Sequence, residues 1–527
     1  MLRSIAALCL CACTLASAQS KGTPDAATQR WWAHTQVLAS DKMEGRDTGS
    51  PGYDRAAAYV VEQFKKAGLK PAGTDGFYQS FKLNSVELVK DKSSVEVIGK
   101  DGTTTALRLL QEVNVPARAD LAPTLEAPLV FVGYGLPSRA GTATEMKGKI
   151  AVYFNGFPAA YTHEQRLHAT AERAHYLASM GVAAIVAIDN PMDIEPTHWP
   201  MAYSRSVTIV DATPPKQAAA APLYIRISAE AAGKLFINAD HAYREILNAG
   251  QQGLPLAPVE MTGKLRIKTT LASKDITSFN LIAILPGSDA DLSKEYVAVS
   301  AHLDGYGYGE PVNGDNIYNG ALDDAAYVST LIELANTIHA SGKPLKRSLL
   351  ICVFTGEEKG LLGSVYFTQH PTVNKTSIVA DLNLDQLRPL FPLKALTMEG
   401  LDDSSLGATA RAVASTFHIQ IRPDLEPERN LVHRADNASF ARIGVPSCGF
   451  VFAYDPGTPE EVIYKDWYRR RYHQPDDDLN TPMDWEAAGK FNRFYDALVA
   501  AIANADSRPT WNTQLAAGTA TLKSAQK

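Results

Sequence analysis

The fold is decided by four consecutive pieces of sequence: YVAVSAHLDGYGYG (296–309), NGALDDAAYVSTLIELA (319–335), RSLLICVFTGEEKGLLGS (347–364) and IVADLNLDQ (378–386). Three of them contain a short apolar run that leads into histidine, aspartate or glutamate. Short apolar runs bounded by glycine and charge are typical of parallel strands covered on both faces. Ligands bind at the carboxyl ends of such strands, so we expect the polar residues to meet at one edge of a sheet.

The residues that follow these runs have the chemistry of metal ligands. His302 follows the first run, Glu357 and Glu358 follow the third, and Asp385 follows the fourth, while Asp323 lies in a Gly-rich turn before an apolar helix. Zinc binds imidazole and carboxylate, and a catalytic site keeps one position open for water. Taken singly, each residue has a simpler explanation as a hydrogen-bonding histidine, a helix cap or a solvated glutamate pair. Together and in this order, they predict a metal site.

The order of these motifs carries a family resemblance. HLD, NGALDD, GEE with GLLGS, LNLD and a late YHQPDDD follow one another as they do in the co-catalytic zinc aminopeptidases of metallopeptidase family twenty-eight. The sequence GRDTGS (45–50), before a long predicted helix, also resembles the opening of that family. The resemblance extends from about Trp31 to Ala503.

The resemblance implies two zinc ions per chain. In the family pattern Asp323 bridges both ions, His302 and Asp385 complete one site, and Glu358 and His473 complete the other. Each ion would then have three protein ligands, which leaves room for water, as a catalytic site requires.

The resemblance also implies roles for two further acidic residues. Glu357 would be the general base, and Asp304 would be the carboxylate that fixes the imidazole of His302, a support that metal-bound histidines commonly have. In the same family the bridging aspartate often precedes a cis peptide that does not involve proline. The Asp323–Asp324 bond is therefore predicted to be cis.

Two departures from the family pattern bear on the shape of the pocket. Asp324 stands where the family usually has asparagine. In HRADNASF, Asp436 is kept, but Asn437 replaces the histidine of a common Ser-Asp-His motif. All five predicted ligands and the predicted base are present.

The predicted architecture is an α/β protein with a central mixed, mainly parallel sheet between helices, similar to zinc exopeptidases. Residues 127–267 change the pattern to strand, strand, helix and strand and resemble an inserted, small β-rich protease-associated domain. The catalytic domain would then be discontinuous, with residues 19–126 and 268–527. The insertion is equally compatible with a structural role and with gating of substrate.

The N-terminal residues 1–18 resemble a secretory signal peptide, with Arg3, an apolar run and cleavage after Ala18. The expected location is therefore periplasmic or secreted. An alternative is a lipoprotein signal, in which Cys13 would be lipidated and retained. No other window approaches the length of about 20 apolar residues that a membrane span needs.

Composition argues against a nucleic-acid-binding protein, and the cysteines and histidines outside the main motifs suggest no further site. The chain has 527 residues, 45% of them hydrophobic, and a net charge of −6, without the basic excess expected for nucleic-acid binding. Outside the signal only Cys352 and Cys448 remain, and both are predicted to be buried free thiols. Three histidines in the predicted insertion have no carboxylate in ligand register and are not predicted to bind metal: His163, His168 and His175.

The predicted reaction is hydrolysis of an N-terminal peptide bond, with peptides as substrates. Three alternatives stay open. A carboxypeptidase or dipeptidase would need a cationic patch, for which Arg388, Arg429 and Arg434 are candidates. A glutaminyl-cyclase-like acyltransferase would use a single zinc ion. A receptor-like binding protein should lack ligands or the base, and this chain lacks none. The preferred substrate residue and the oligomeric state are left open.

Overall fold

The computed structural model describes residues 20–137, 145–210, 222–237 and 240–512. The predicted signal peptide and Cys13 lie outside the described residues. The strands are β1 (Lys70–Pro71), β2 (Tyr78–Leu88), β3 (Ser94–Ile98), β4 (Thr104–Leu107), β5 (Val113–Asn114), β6 (Thr124–Phe131), β7 (Ile150–Phe154), β8 (Ala184–Ile188), β9 (Arg205–Ile209), β10 (Leu223–Ile227), β11 (Val259–Lys268), β12 (Leu271–Leu285), β13 (Tyr296–His302), β14 (Gly307–Val312), β15 (Asp315–Tyr318), β16 (Ser348–Phe354), β17 (Ile378–Asn383), β18 (Ala395–Glu399), β19 (Gln420–Arg422) and β20 (Ser447–Ala453).

The helices flank the strands and follow the predicted pattern. They are α1 (Ala26–Leu38), α2 (Pro51–Lys66), α3 (His163–Ser179), α4 (Ala229–Ala232), α5 (Asp240–Gln251), α6 (Ala326–Ser341), α7 (Leu362–Gln369), α8 (Leu406–Thr416), α9 (Asn437–Arg442), α10 (Pro459–Arg470) and α11 (Trp485–Asn504). Helix α2 begins where the Ser50 hydroxyl accepts a hydrogen bond from the Tyr53 amide, with Pro51 in the first turn. It ends just before Gly68, which has a φ of 73°.

The main sheet has the strand order β19-β18-β20-β17-β13-β16-β12-β2-β9, and β1 pairs with β12. Strand β13 is parallel to both neighbours, β16 and β17, and β17 is parallel to β20. Strand β12 is antiparallel to both of its neighbours, β16 and β2. The pairs β2 with β9 and β18 with β20 are antiparallel as well. The prediction of an α/β fold with a mixed sheet is confirmed, and the parallel pairs form its centre.

Alternating side chains of the central strands build a core on each face of the main sheet. Val297 and Val299 of β13 pack with α1, α2, α6, α8 and α11 on one face. Ala298 of β13 and Cys352 of β16 pack with α7 and α9 on the other. Because both faces are covered, the central strands are apolar almost throughout, as parallel strands tend to be. Cys352 and Cys448 are buried and free, as predicted.

A second sheet has the order β4-β3-β11-β6-β7-β8-β10-β5 and its own apolar core. The predicted run of strand, strand, helix and strand corresponds to β6, β7, α3 and β8. The boundary at residue 127 does not coincide with the edge of this sheet, because β3, β4 and β5 precede it. Conversely, β9 lies within 127–267 but pairs with β2 of the main sheet. The limits of the second sheet depend on pairing between strands that are far apart in the chain, and a local sequence pattern does not show such pairing.

Among the described helices, none combines the length and the apolar character needed to cross a bilayer.

Candidate metal centre

Three of the predicted ligands lie together because β13 is the strand between β16 and β17. His302 is the last residue of β13, Glu357 and Glu358 follow the end of β16, and Asp385 follows the end of β17. Parallel strands end at the same edge of a sheet, so these side chains reach one place from three strands. His302 is buried, with 1% of its surface exposed.

Asp323 joins the two halves of this cluster. It lies in the wide turn Ala321–Ala325, which leads directly into α6. Its Oδ1 is 3.2 Å from Nε2 of His302, and its Oδ2 is 3.4 Å from Nε2 of His473. Each carboxylate oxygen therefore faces a different histidine, as the bridging role implies. The Asp323–Asp324 peptide is cis, as predicted.

The ligand atoms form two groups that share Asp323. One consists of His302, Asp323 and Asp385, and the other of Asp323, Glu358 and His473, with ligand atoms within 4.8 Å of one another in each. Nε2 of His473 is 3.2 Å from Oε2 of Glu358. Metal bonds of about 2.0–2.1 Å at tetrahedral angles place ligand atoms about 3.3 Å apart, so most of these separations suit zinc.

Unpartnered buried atoms support a cation at this place. Nε2 of His302, Oδ2 of Asp323 and Oδ1 of Asp385 are buried and make no hydrogen bond to the described residues. Buried polar atoms are rarely left without a partner, because desolvation is then uncompensated. Nε2 of His302 and Oδ1 of Asp385 lie 4.0 Å apart in the first group, and Oδ2 of Asp323 faces His473 in the second, so a divalent ion in each group would satisfy them.

The electrostatics of the cluster point the same way. Burial raises the pKa of Glu358 to about 7 and that of Asp385 to about 6, and the charge of Asp323 contributes to both shifts. Burial and the charges of Asp385 and Glu358 raise the pKa of Glu357 well above its usual range. Four carboxyl groups are thus crowded into a dry site, where a cation would relieve their mutual repulsion.

Asp304, predicted to fix the imidazole of His302, contacts both His302 and Glu357. Nδ1 of His302 lies 3.1 Å from the backbone carbonyl oxygen of Asp304, whereas Oδ1 of the Asp304 carboxylate is 3.8 Å away. That carboxylate instead accepts hydrogen bonds from the backbone amide of Glu357 at 3.1 Å and the Thr48 hydroxyl at 3.1 Å. The main-chain oxygen of Asp304 is thus nearer to the imidazole than its carboxylate is, and the carboxylate also holds the backbone of the predicted base.

Asp324, where the family usually has asparagine, supports the other end of His302. It is fully buried, and its Oδ2 accepts a hydrogen bond from the His302 backbone amide at 3.3 Å. Burial raises the pKa of Asp324 well above its usual range. A neutral carboxyl offers both a donor and an acceptor, as an asparagine amide does.

A further buried carboxylate, from the YHQPDDD motif, holds the bridging turn. Asp477 accepts hydrogen bonds from the backbone amides of Leu322 at 3.0 Å and Asp323 at 3.1 Å. The only sequence signal for this role was its nearness to His473 in YHQPDDD.

Arg46, from the GRDTGS loop, ties the two metal-bearing loops together. It is fully buried and donates to four carbonyl oxygens, those of Leu303, Leu38, Asn319 and Gly320, at 2.6–2.8 Å. One of these acceptors directly follows His302, and another lies three residues before Asp323. The loop that resembles the family opening therefore positions two of the predicted ligands.

We expect Arg46→Met to lower the free energy of unfolding by at least about 3 kcal/mol, because each buried carbonyl left without a partner costs about 1–3 kcal/mol. Urea denaturation measures the change. Arg55→Met is the matched control: Arg55 is 43% exposed and pairs with Glu44 at 2.9 Å, so its loss should cost at most about 1 kcal/mol. Equal losses in the two variants would contradict the role of Arg46.

Aromatic side chains hold His473 in place. Nδ1 of His473 is 3.0 Å from the Tyr306 hydroxyl, and the imidazole stacks on the Tyr472 ring with centroids 3.6 Å apart. Tyr306 in turn lies beside Tyr203, whose hydroxyl accepts a hydrogen bond from Nζ of Lys359 at 2.5 Å. Tyr203 comes from the segment predicted to be an insertion, so that segment contacts the surroundings of the second metal group.

The two groups open onto a pocket with acidic and apolar walls. Its lining comprises Asp323, Glu357, Asp385, Gln386, Glu399, Leu431, Arg434, Ala435, Val451, Tyr472 and His473. Burial and the charge of Asp385 raise the pKa of Glu399 to about 8. Asn437, the other departure from the family pattern, lies behind this wall, and its amide is 3.4 Å from Oε2 of Glu399.

The three arginines considered for a cationic patch have different surroundings. Arg388 is buried and stacks over the rings of Trp467 and Tyr468. Arg429 pairs with Glu426 and with Glu195. Of the three, Arg434 is the one that lines the pocket.

The predicted non-ligand histidines stay apart from this centre. His163 pairs with Glu428 at 2.5 Å, and His168 is exposed beside Glu164. His175 is exposed as well. In the part of the chain that the structure describes, none of the three belongs to a cluster of potential metal ligands.

Comparison with known proteins agrees with the fold and with the motif order. The model of Peptidase family M28 matches residues 280–499. The chain is 25% identical over 223 residues to leupeptin-inactivating enzyme 1 of Streptomyces exfoliatus, covering 41% of this chain and 46% of that protein. It is 26% identical over 213 residues to carboxypeptidase Q of Rattus norvegicus, covering 40% of this chain and 38% of that protein. The chain thus spans less than half the length of either relative.

The fold as a whole is similar to that of an aminopeptidase from Aneurinibacillus sp. strain AM-1, with a TM-score of 0.55 and 18% identity. The match covers 90% of this chain and 93% of that one. The residues that match the family model include all five predicted ligands. The segment of this chain that carries all five predicted ligands, residues 280–499, is thus similar to peptidase family M28.

Proposed function

We propose that this chain is a zinc-dependent exopeptidase that hydrolyses N-terminal peptide bonds with two co-catalytic zinc ions. The observation that carries the proposal is the position of Asp323, whose two oxygens face His302 at 3.2 Å and His473 at 3.4 Å. Two complete groups of three ligands share this one carboxylate. An acyltransferase with a single zinc ion would need only one such group, so the second group favours the two-zinc peptidase.

In the bound state, paired zinc ions polarise the scissile carbonyl and lower the pKa of the attacking water. Glu357 has the position of the general base. It lines the pocket, its Oε2 is 3.9 Å from Nε2 of His302, and its backbone is held by Asp304. Glu357 accepts the proton of the attacking water and passes it to the leaving amine, as a positioned carboxylate can.

The charges of the pocket favour an aminopeptidase. Glu399 lines the pocket and is neither a predicted ligand nor the predicted base, so it is the acidic group that would suit the ammonium group of a peptide N-terminus. A carboxypeptidase needs a free cation, but Arg434 is paired with Glu195. The likeness of the whole fold to an aminopeptidase supports the same choice. The match to carboxypeptidase Q keeps carboxypeptidase or dipeptidase activity as the second candidate, and Arg434 is the residue on which it would depend.

Aminoacyl-nitroanilides and N-blocked peptides, each assayed with and without a chelator, test the proposal. We expect hydrolysis of the free aminoacyl compounds only, loss of activity with the chelator and recovery with zinc. Cleavage of blocked peptides at their C-terminal bond would favour the second candidate. Full activity after exhaustive chelation would contradict the metal-dependent mechanism.

Asp304 variants separate support of the base from support of the imidazole. We expect Asp304→Ala to lower kcat by about 10- to 100-fold with two zinc ions retained, because the Glu357 amide loses its acceptor. Asp304→Asn should keep most of the activity, since its amide oxygen can still accept that hydrogen bond. Metal analysis and kcat are measured for both variants. Loss of zinc in either would instead indicate that the carboxylate holds His302.

Export and a protease-associated insertion remain part of the proposal. Residues 1–18 have the pattern of a signal peptide, and the second sheet forms a separate β-rich unit. N-terminal sequencing of the mature protein distinguishes cleavage after Ala18 from lipidation at Cys13.

A further inference from the structure

We infer that Glu195 is an internal carboxylate that occupies Arg434 and thereby excludes carboxylate-bearing groups of substrates from the pocket. This inference rests on the proposed exopeptidase function and adds a determinant of specificity to it. Glu195 lies in the segment between β8 and β9, outside the part of the chain that matches the family. Glu195 itself is not part of the pocket lining, and it reaches the pocket wall by pairing with Arg434.

The contact between Glu195 and Arg434 has the geometry of a bound carboxylate. Nη1 of Arg434 donates to Oε2 of Glu195 at 2.9 Å, and Nη2 donates to Oε1 at 2.5 Å. Two parallel hydrogen bonds between a guanidinium and a carboxylate are the mode in which arginine recognises carboxylate ligands. Among the described residues that line the pocket, Arg434 is the one guanidinium. Glu195 thus takes the position that a substrate carboxylate would need.

Arg429 holds Glu195 in this position from the other side. Its Nη2 donates to Oε2 of Glu195 at 3.1 Å, and Arg429 itself is fixed by Glu426 at 2.9 Å and by the ring of Tyr468 at 4.2 Å. The Arg429 side chain is 8% exposed, whereas that of Arg434 is 41% exposed. Arg429 is therefore the anchor, and Arg434 is the side that faces the pocket.

The two arginines around Glu195 favour its ionised form. Burial alone would raise its pKa, but the hydrogen bond and charge of Arg434 and the charge of Arg429 lower it to about 2. A tethered group competes at an effective concentration of about millimolar or more. A substrate carboxylate that binds Arg434 more weakly than this concentration would not displace Glu195.

Two kinds of carboxylate could meet Arg434 once Glu195 is removed. One is the terminal carboxylate of a dipeptide, and the other is an acidic side chain of the substrate. Paired substrates distinguish them: Leu-Gly against Leu-Gly-amide, and Glu-Gly-amide against Gln-Gly-amide. In each pair the members differ in the charge of a single group, so the ratio of their kcat/KM values isolates recognition of the carboxylate.

We define the ratio as kcat/KM of the compound with the carboxylate divided by kcat/KM of its amide partner. We expect Glu195→Gln to raise this ratio for one of the two pairs by at least about 10-fold, which corresponds to about 1.4 kcal/mol. The pair that changes identifies the source of the carboxylate. Adding Arg434→Gln to Glu195→Gln should abolish the rise. Glu428→Gln is the matched control. Like the pair of Glu195 and Arg434, Glu428 connects the predicted insertion to the rest of the chain, through His163 and Arg166, but it lies outside the pocket lining. Its ratios should equal those of the unaltered protein.

Calorimetric binding of the same pairs separates this inference from the proposed function. Zinc-loaded protein with the additional substitution Glu357→Gln binds the compounds without depending on their hydrolysis. Unchanged binding ratios in the Glu195→Gln background overturn the inference, whether or not the unaltered protein is an aminopeptidase. An equal rise in Glu428→Gln overturns it too, because loosening of the interface would then explain the effect. A selective rise supports it even if hydrolysis proves to have another specificity.

Discussion

Replacing Asp323 with alanine is expected to remove both metal ions and to abolish hydrolysis. Its two oxygens face the two histidines, so no other described side chain can take over for both groups. Each group would keep only two protein ligands, fewer than the three that catalytic zinc sites use. Elemental analysis of the purified variant should therefore find close to no zinc, where about two ions per chain are expected in the unaltered protein.

Asp385→Ala is the graded control for this result. Asp385 belongs to the group of His302 and Asp323, whereas Glu358 and His473 are left unchanged. We expect this variant to lose about one ion and to keep the other. Two ions retained in Asp323→Ala would exclude the bridging role. Loss of both ions in Asp385→Ala would mean that the two groups bind metal as one cooperative unit.

The second large effect is expected from Glu357→Gln, which should lower kcat by at least about 10²-fold while both ions remain bound. The amide keeps the size of the side chain, but it cannot accept the proton of the attacking water. Glu357 is absent from both groups of ligands, although it lines the pocket. The substitution therefore removes a base without removing a ligand.

Glu358→Gln is the matched substitution one residue further along the chain. Glu358 lies 3.2 Å from Nε2 of His473 and belongs to the second metal group. We expect this variant to lose zinc and to recover part of its activity when zinc is added in excess. Metal content and turnover are measured in parallel for the two variants. Zinc loss in Glu357→Gln together with full occupancy in Glu358→Gln would reverse the two roles.

The order of motifs along the chain predicted five ligands, which the structure brings together in two groups. His302, Asp385 and the Glu357–Glu358 pair follow apolar runs that become neighbouring strands, and strand ends of parallel pairs meet at one edge. The bridging role of Asp323 and the inclusion of His473 came from the family resemblance, because a turn and a loop have no periodicity that indicates where they lie. The alternation of strands and helices likewise predicted a mixed α/β sheet.

The supports of the site were much less predictable. Asp304 is two residues from His302, yet its carboxylate contacts the backbone of Glu357, from a different strand end. Asp477 is one of three consecutive aspartates in YHQPDDD, and the structure shows that it is buried against the bridging turn. Sequence spacing shows which residues are close along the chain. It does not show which way a side chain turns once the loops pack.

By itself, the sequence of this protein determined the fold class and the central strands, because local apolar patterns suffice for these. The order of its motifs, together with the family resemblance, indicated the candidate ligands. Only the tertiary structure decided that the second sheet begins at Ser94, that Arg46 links the two metal-bearing loops and that Glu195 pairs with Arg434. Each of these depends on contacts between segments far apart in the chain. Such contacts arise from the packing of whole elements, which no local pattern of residues encodes.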